Sequence, residues 1–334
     1  MTVPLRQSVR LGMYLARQRI RKVKRFPLLV ELEPLFACNL ACAGCGKIQY
    51  PAHILKQRMP VDTAISAIEE SGAPMVSIAG GEPLIHPEID VIAAELMKRK
   101  RFVYLCTNAL LMKKKMDRFT PSPYFAWAVH IDGLRERHDR SVCEEGVFDA
   151  AVDAVREAKR QGFRVTTNTT FFTHDSPETV REVLDFLNDD LGVDQMMISP
   201  AYAYEKAPDQ EHFLPVDRTR QLFREAFADG RRKRWRLNHT PLFLDFLEGK
   251  VDFECTPWGI PCYTIFGWQR PCYLMADSYA QTYRELVDET DWSQYGRGSG
   301  NPKCTNCMAH CGYEPTAVLA TTGSLRESLR AMVN

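Results

Sequence analysis

A partial α/β barrel, of the (β/α)6 kind, is the fold predicted here, and three observations predict it. Apolar runs of strand length alternate with helical patterns from residue 28 to about 200. Such alternation implies parallel strands joined by right-handed crossovers. The residues with unusual chemistry follow strands, as expected where loops converge at the carboxyl ends of a parallel sheet. A chain of 334 residues suits one large domain or a domain with an extension.

The elements follow in order. Residues 1–28 hold no acidic residue but carry Arg6, Arg10, Arg17, Arg19, Arg21, Lys22, Lys24 and Arg25. Leu5, Val9, Met13, Ala16, Ile20 and Val23 recur at steps of three or four, which predicts a basic amphipathic helix over 1–26. Its apolar stripe suits either an anionic membrane surface or the protein's own core. A strand is expected over 28–33, a helix over 61–71, a strand over 75–79 and a helix over 87–100. Strands over 102–106 and 124–131, a helix over 147–161 and a strand over 163–171 come next. Ser176, followed by Pro177, opens a helix over 176–191, and a strand over 195–199 completes the sixth unit. Past residue 208 the pattern weakens, apart from a helical stretch near 215–230. This divides the chain into the basic helix (1–26), the barrel (27–245) and a cysteine-rich C-terminal extension (246–334).

Composition narrows the function. With 43 Lys plus Arg against 42 Asp plus Glu, and 45% hydrophobic residues, the chain is neither a disordered polyelectrolyte nor built chiefly to hold nucleic acid. It lacks an apolar run of 18 residues and a secretory leader pattern. A cytoplasmic protein is therefore expected, where 11 clustered cysteines read as metal ligands rather than disulfides.

Cys38, Cys42 and Cys45 lie in a CxxxCxxC loop after the first strand. Thiolates at this spacing can hold three irons of a [4Fe-4S] cube and leave the fourth without a protein ligand. Tetrahedral zinc needs a fourth ligand, and no His, Cys or Asp occurs in the next seven residues.

The loop, followed by Gly80-Gly81-Glu82, resembles the signature of the radical S-adenosylmethionine (SAM) superfamily over roughly residues 28–205. The resemblance implies that the open iron chelates SAM and that one electron yields a 5′-deoxyadenosyl radical. It also implies that Gly80, Gly81 and Glu82 contact the methionine ammonium, and that Thr107, Asn108, His130, Asp132 and Asn168 contact the ribose and carboxylate. Gly44 departs from the pattern: an aromatic residue usually precedes the third cysteine, so the adenine must find its surface elsewhere.

Cys106 ends the third strand beside Thr107-Asn108, where its weak S–H bond makes it a candidate hydrogen-atom donor. Cys255, Cys262 and Cys272 precede a CxxCxxxC group, Cys304, Cys307 and Cys311. Of these, Cys255, Cys272, Cys304, Cys307 and Cys311 are the expected ligands of a second, auxiliary iron–sulfur cluster, with zinc as the alternative. His310 is expected at the surface.

Over nearly its full length, through PLLVELEPLFACNLACAGCGKI, YLCTNALLM, VHIDGLRERHD and CTPWGIPCYTIFGWQRPCYLM, the chain resembles the adenosylhopane synthase family of hopanoid biosynthesis. That resemblance implies addition of the adenosyl radical to the terminal alkene of diploptene, an electron donor such as flavodoxin or ferredoxin, and peripheral contact with the inner face of the cytoplasmic membrane. Trp127, Tyr202, Tyr204, Trp258, Phe266 and Trp268 are the aromatics available for an apolar pocket. Two rival readings stand beside it: a radical SAM enzyme abstracting hydrogen from a peptide or cofactor precursor, and a non-catalytic iron–sulfur or zinc protein.

Overall fold

The computed structural model describes residues 4–202 and 204–333; residues 1–3 of the expected basic helix and Asn334 of the extension lie outside them. Among the described residues, nine strands form one sheet: β1 (Leu29–Glu33), β2 (Met75–Ile78), β3 (Phe102–Thr107), β4 (Phe125–His130), β5 (Val165–Phe171), β6 (Gln195–Pro200), β7 (Cys262–Thr264), β8 (Gly267–Cys272) and β9 (Met275–Ala280). Their spatial order is β6-β5-β4-β3-β2-β1-β7-β8-β9. Neighbours from β6 to β1 pair in parallel, giving the expected partial barrel.

Side-chain alternation along the strands separates two environments. Val30, Leu32, Val76, Ile78, Leu105, Trp127 and Val129 are fully buried and share one core with Ile68, Ile92, Ala151 and Val155 of the covering helices. The intervening residues face inward and are largely polar: Glu31, Ser77, Cys106, His130 and Asn168 line a cavity. Sequence spacing accounts for the covering helices as well. In the helix Val147–Arg160, Phe148, Ala151, Val152, Val155 and Ala158 are buried, recurring at steps of three or four. Ser176 caps the next helix through Thr179 N, with Pro177 in its first turn. That helix keeps α geometry only over Pro177–Asp185 and widens into a π turn over Phe186–Asp190, where the sequence pattern predicts one continuous helix to 191.

The N-terminal helix spans Leu5–Ile20, and its faces bear on the two readings left open for its apolar stripe. Leu5, Val9, Met13 and Ile20 are 50–81% exposed, so the apolar stripe does not pack on the protein's own core. Gln7 and Leu15 are the buried residues. The reason is the polar barrel interior: Gln7 Nε2 donates to Tyr104 Oη at 2.7 Å, a partner that no apolar side chain could satisfy.

The C-terminal extension continues the sheet. β7 pairs in parallel with β1, placing Cys262 opposite Glu31, and β8 and β9 add antiparallel strands beyond it. Arg19 Nη1 donates to the Thr322 carbonyl, tying the N-terminal helix to the end of the helix His310–Gly323.

Candidate functional site

Glycine is required where the second strand's loop meets the cysteine loop. Gly81 N donates to the Leu35 carbonyl at 3.0 Å and Glu82 N to the Ala37 carbonyl at 2.8 Å. A Cβ on Gly80 would collide with the Leu35 carbonyl, and one on Gly81 with that of Ala37. Gly80 also has φ +105°, a conformation costly for any other residue. The close approach is therefore first to the backbone just before Cys38.

Glu82 is buried and ties β2 to β3: its carboxylate accepts from Leu84 N (2.9 Å), Asn108 N (2.9 Å) and the Thr107 hydroxyl (3.0 and 3.1 Å). Burial pushes its carboxyl up to about 7, while the hydrogen bonds from Asn108, Leu84 and Thr107 pull against that. Three donors against roughly four acceptor positions leave about one for a ligand. Asn108 Nδ2 reaches across to Asn39 Oδ1 at 2.9 Å, locking the same loop.

Cys38, Cys42 and Cys45 are partly exposed and line the cavity. Burial raises the Cys42 thiol, and Cys45 and Cys38 add to the effect; burial likewise lifts Cys38, to about 11, and Cys45. Only a bound cation would hold all three as thiolates. Among the described residues no three His, Cys, Asp or Glu side chains converge as they would on a single metal ion. Cys38, Cys42 and Cys45 line one cavity and bear electrostatically on one another, the all-thiolate donor set that an iron–sulfur cube would take.

At the end of β4, His130 Nε2 lies 2.8 Å from Asp132 Oδ2. Burial lowers His130, but the Asp132 carboxylate outweighs it and the net shift is upward. Burial raises Asp132, and His130 more than reverses this, holding the carboxyl well below the usual range. Thr170 N (2.8 Å) and the Ser141 hydroxyl (3.0 Å) anchor Asp132. Asn168 is the register partner of His130 and opens on the same cavity. Sequence reasoning missed Phe172. Its ring lies 3.7 Å from where a Gly44 Cβ would stand, so an aromatic face from the end of β5 occupies the neighbourhood the usual aromatic would take. A glycine where an aromatic is customary was the available signal.

Cys106 faces the cavity with Sγ 3.4 Å from Ser77 Oγ. Burial, with Glu31 assisting, pushes its thiol up to about 12, so the S–H stays intact near neutral pH. Behind the cysteine loop, Lys47 Nζ donates to Glu33 Oε2 (3.1 Å) and the Tyr273 carbonyl (3.3 Å), and lies 4.1 Å from the Tyr273 ring centroid.

The five cysteines expected as auxiliary ligands gather in the C-terminal part. Cys307, Cys272 and Cys304 bear electrostatically on Cys255, and Cys272, Cys307 and Cys255 on Cys311. A Cβ on Gly312 would stand 2.6 Å from Cys255 Sγ. Cys262 stands apart, beside Glu33 and Lys47. His310 is half-buried at the cavity rather than on the outer surface: its Nδ1 lies 3.1 Å from Ser199 Oγ and burial lowers it to about 4. Of the six candidate aromatics, Tyr202 and Tyr204 line the cavity, whereas Trp127 and Trp268 are fully buried in the core.

The cavity, of about 860 Å3, is lined by the cysteine loop, Cys106, Leu11 and Leu15 of the N-terminal helix, and Val318.

Residues 32–187 match the model of the Radical SAM superfamily, and residues 196–331 match a domain of unknown function, DUF3463. Pre-heme d1 synthase of Dinoroseobacter shibae is 27% identical over 170 residues, 48% of this chain and 40% of that protein. Fe-coproporphyrin III synthase of Methanosarcina barkeri is 24% identical over 133 residues, 38% and 33% of the two. The chain thus spans less than half the length of either relative. Among solved structures, Streptococcus suis SuiB bound to S-adenosylmethionine superposes with a TM-score of 0.66 at 20% identity, covering 88% of this chain and 73% of that one. The same protein bound to its precursor peptide SuiA also gives 0.66, at 18% identity and 90% and 74% coverage. These superpositions establish the shared fold.

Proposed function

We propose that the chain, whose residues 32–187 match the Radical SAM superfamily model, is a radical SAM enzyme that joins the 5′-deoxyadenosyl group of SAM to the terminal alkene of diploptene, giving adenosylhopane. When bound, the cluster and SAM supply the 5′-deoxyadenosyl radical. Cys38, Cys42 and Cys45 hold the cluster, and Gly80–Glu82, Thr107, Asn108, His130, Asp132 and Asn168 surround the SAM. Phe172 offers the adenine its stacking face in place of an aromatic at Gly44. Addition to a terminal methylene leaves a tertiary carbon radical, and Cys106 finishes the reaction by giving it the hydrogen atom of its S–H.

The observation that carries this reading is the cavity. Its lining brings Leu11, Leu15, Leu28, Leu29 and Val318, apolar surface that suits a hydrocarbon, into one space with Cys106 and the cysteine loop. The exposed stripe Leu5, Val9, Met13 and Ile20, flanked by arginines, and the nearby Leu325 and Leu329 (79% and 55% exposed) suit docking on an anionic membrane, where such a substrate resides. Among the described residues no helix is long and apolar enough to cross a membrane. Cys255, Cys272, Cys304, Cys307 and Cys311 offer one ligand more than an auxiliary [4Fe-4S] cluster needs. The electron comes from a flavodoxin or ferredoxin.

A second reading draws on the relatives: two are cofactor-forming synthases, and SuiB has been solved with a precursor peptide. It holds that the chain abstracts hydrogen from a cofactor precursor or peptide and releases 5′-deoxyadenosine. Anaerobic incubation of the reduced protein with diploptene and SAM, read by mass spectrometry, separates the two. The adenosyl adduct is expected; 5′-deoxyadenosine alone refutes coupling and favours the second reading. No cleavage of SAM at all would leave a non-catalytic iron–sulfur or zinc protein.

A further inference from the structure

A polar chain, buried at Ser77 and half-buried at Glu31 and Cys106, runs across three neighbouring strands. Glu31 on β1 and Ser77 on β2 are register partners, so both side chains project from the same face at the same level. The Glu31 carboxyl hydrogen-bonds with the Ser77 hydroxyl, and Ser77 Oγ lies 3.4 Å from Cys106 Sγ on β3. All three line the cavity. The other carboxyls near the cavity are committed: Glu82 to Leu84 N, Thr107 and Asn108 N, Asp132 to His130, Glu33 to Lys47, and Glu314 to His239 Nδ1 and Thr240 N. Glu31 alone of these reaches Cys106 through a hydroxyl.

A thiol that gives up a hydrogen atom has to be rebuilt before it can serve again. We propose that Glu31 and Ser77 form the proton relay that restores the Cys106 thiol after each turnover; this rests on Cys106 being the hydrogen donor. Transfer of the hydrogen atom from Cys106 to the product radical leaves a thiyl radical. One electron from an iron–sulfur or flavin electron-donor protein reduces it to the thiolate. Ser77 Oγ–H passes its proton to that sulfur while the Glu31 carboxyl passes its own proton to Ser77 Oγ, and the Glu31 carboxylate recovers a proton from solvent. The sum is one electron and one proton taken up per thiyl. Burial raises the Glu31 carboxyl to about 7, with Ser77 and Lys47 opposing and Glu33 adding, so a proton is available there near neutral pH. Cys262 from β7, Tyr104 from β3, and Tyr202, Tyr273 and Cys311 from the segments packed against the sheet are the other titratable groups around it.

The test follows product per enzyme over time, with full-length reconstituted protein, diploptene, SAM and a reduced flavodoxin. Glu31→Gln and Ser77→Ala should each make about one adduct per enzyme and then slow about 100-fold, the scale of a positioned proton donor. Ser77→Thr, which keeps the hydroxyl, should turn over repeatedly. A purely structural role would lower the first turnover and the later ones together. The relay is overturned if Glu31→Gln and Ser77→Ala both sustain the unmodified rate, or if either loses its first turnover while keeping its iron and cleaving SAM. Should Glu31→Gln fail to hold iron, Ser77→Ala and Ser77→Thr decide the matter. If Cys106→Ala gives the same product at the same rate, or the unmodified protein forms no adduct, the reading beneath the proposal has failed, and the relay falls with it.

Discussion

Replacing Lys47 by Met probes how the cysteine loop is held to the body of the protein. The ammonium is nearly enclosed, with 9% of the side chain exposed, and its partner Glu33 is wholly buried. Burial opposes its charge, but Glu33 outweighs burial and keeps Lys47 protonated. Methionine preserves the length and apolar stem while leaving the Glu33 carboxylate with no cation and the Tyr273 carbonyl with one donor fewer. Breaking a buried pair from one side costs about 3–5 kcal/mol, because the stranded charge remains in a low dielectric. Against a total stability of about 5–15 kcal/mol, that is a large fraction. Lys47→Met with Glu33→Met should recover most of the loss, since replacing both partners by apolar groups is often close to neutral. Urea midpoints of the metal-free protein would measure both, so that ligand binding does not mask the difference. A single substitution costing under about 1 kcal/mol, or a double variant no more stable than the single one, would refute the stranded-charge reasoning.

Cys38→Ala, Cys42→Ala and Cys45→Ala should each abolish SAM cleavage and reduce bound iron; turnover retained in any one contradicts the cluster assignment. Phe172→Ala should weaken SAM binding by about 1–3 kcal/mol, the range for a base on an aromatic face, as read by equilibrium dialysis of the reconstituted protein; unchanged affinity removes its role. Folded Glu31 titrates near 7 rather than 4.5, so the folded chain holds a proton that the unfolded chain releases. Its stabilising contribution is complete below about pH 4.5 and is lost as pH rises through about 7, a change on the order of 3 kcal/mol at 1.36 per pH unit. Glu31→Gln should therefore flatten the fall in melting temperature between pH 5 and 8, and an unchanged slope counts against the assignment. Val9→Glu with Met13→Glu should cut binding to anionic liposomes while sparing iron content, and equal binding retires the membrane-docking proposal.

Most strands were legible because their patterns are local. The expected 28–33, 102–106 and 195–199 correspond to Leu29–Glu33, Phe102–Thr107 and Gln195–Pro200. The cysteine loop and the Gly-Gly-Glu turn also announce themselves by spacing. What escaped depends on partners distant in sequence. Gln7 reads as a polar interruption of an amphipathic helix until Tyr104 supplies its hydrogen bond. Phe172 gains meaning only because β5 delivers it beside Gly44. Lys47 looks like an ordinary loop lysine until Glu33 and Tyr273 enclose it. The helix expected over 176–191 is present, though apolar spacing alone does not distinguish an α turn from the wider π turn that ends it.

The pairing of β1 with β7 bears on how the chain must mature. During synthesis the first strand emerges early, yet its outer neighbour belongs to the last quarter of the polypeptide. Until that neighbour arrives, one flank of β1 carries unpaired amides and carbonyls, an invitation to join with another molecule. A version of the protein ending near residue 250 would keep that flank open permanently. Precipitation during expression, rather than a soluble half-enzyme, is the outcome to anticipate from such a truncation.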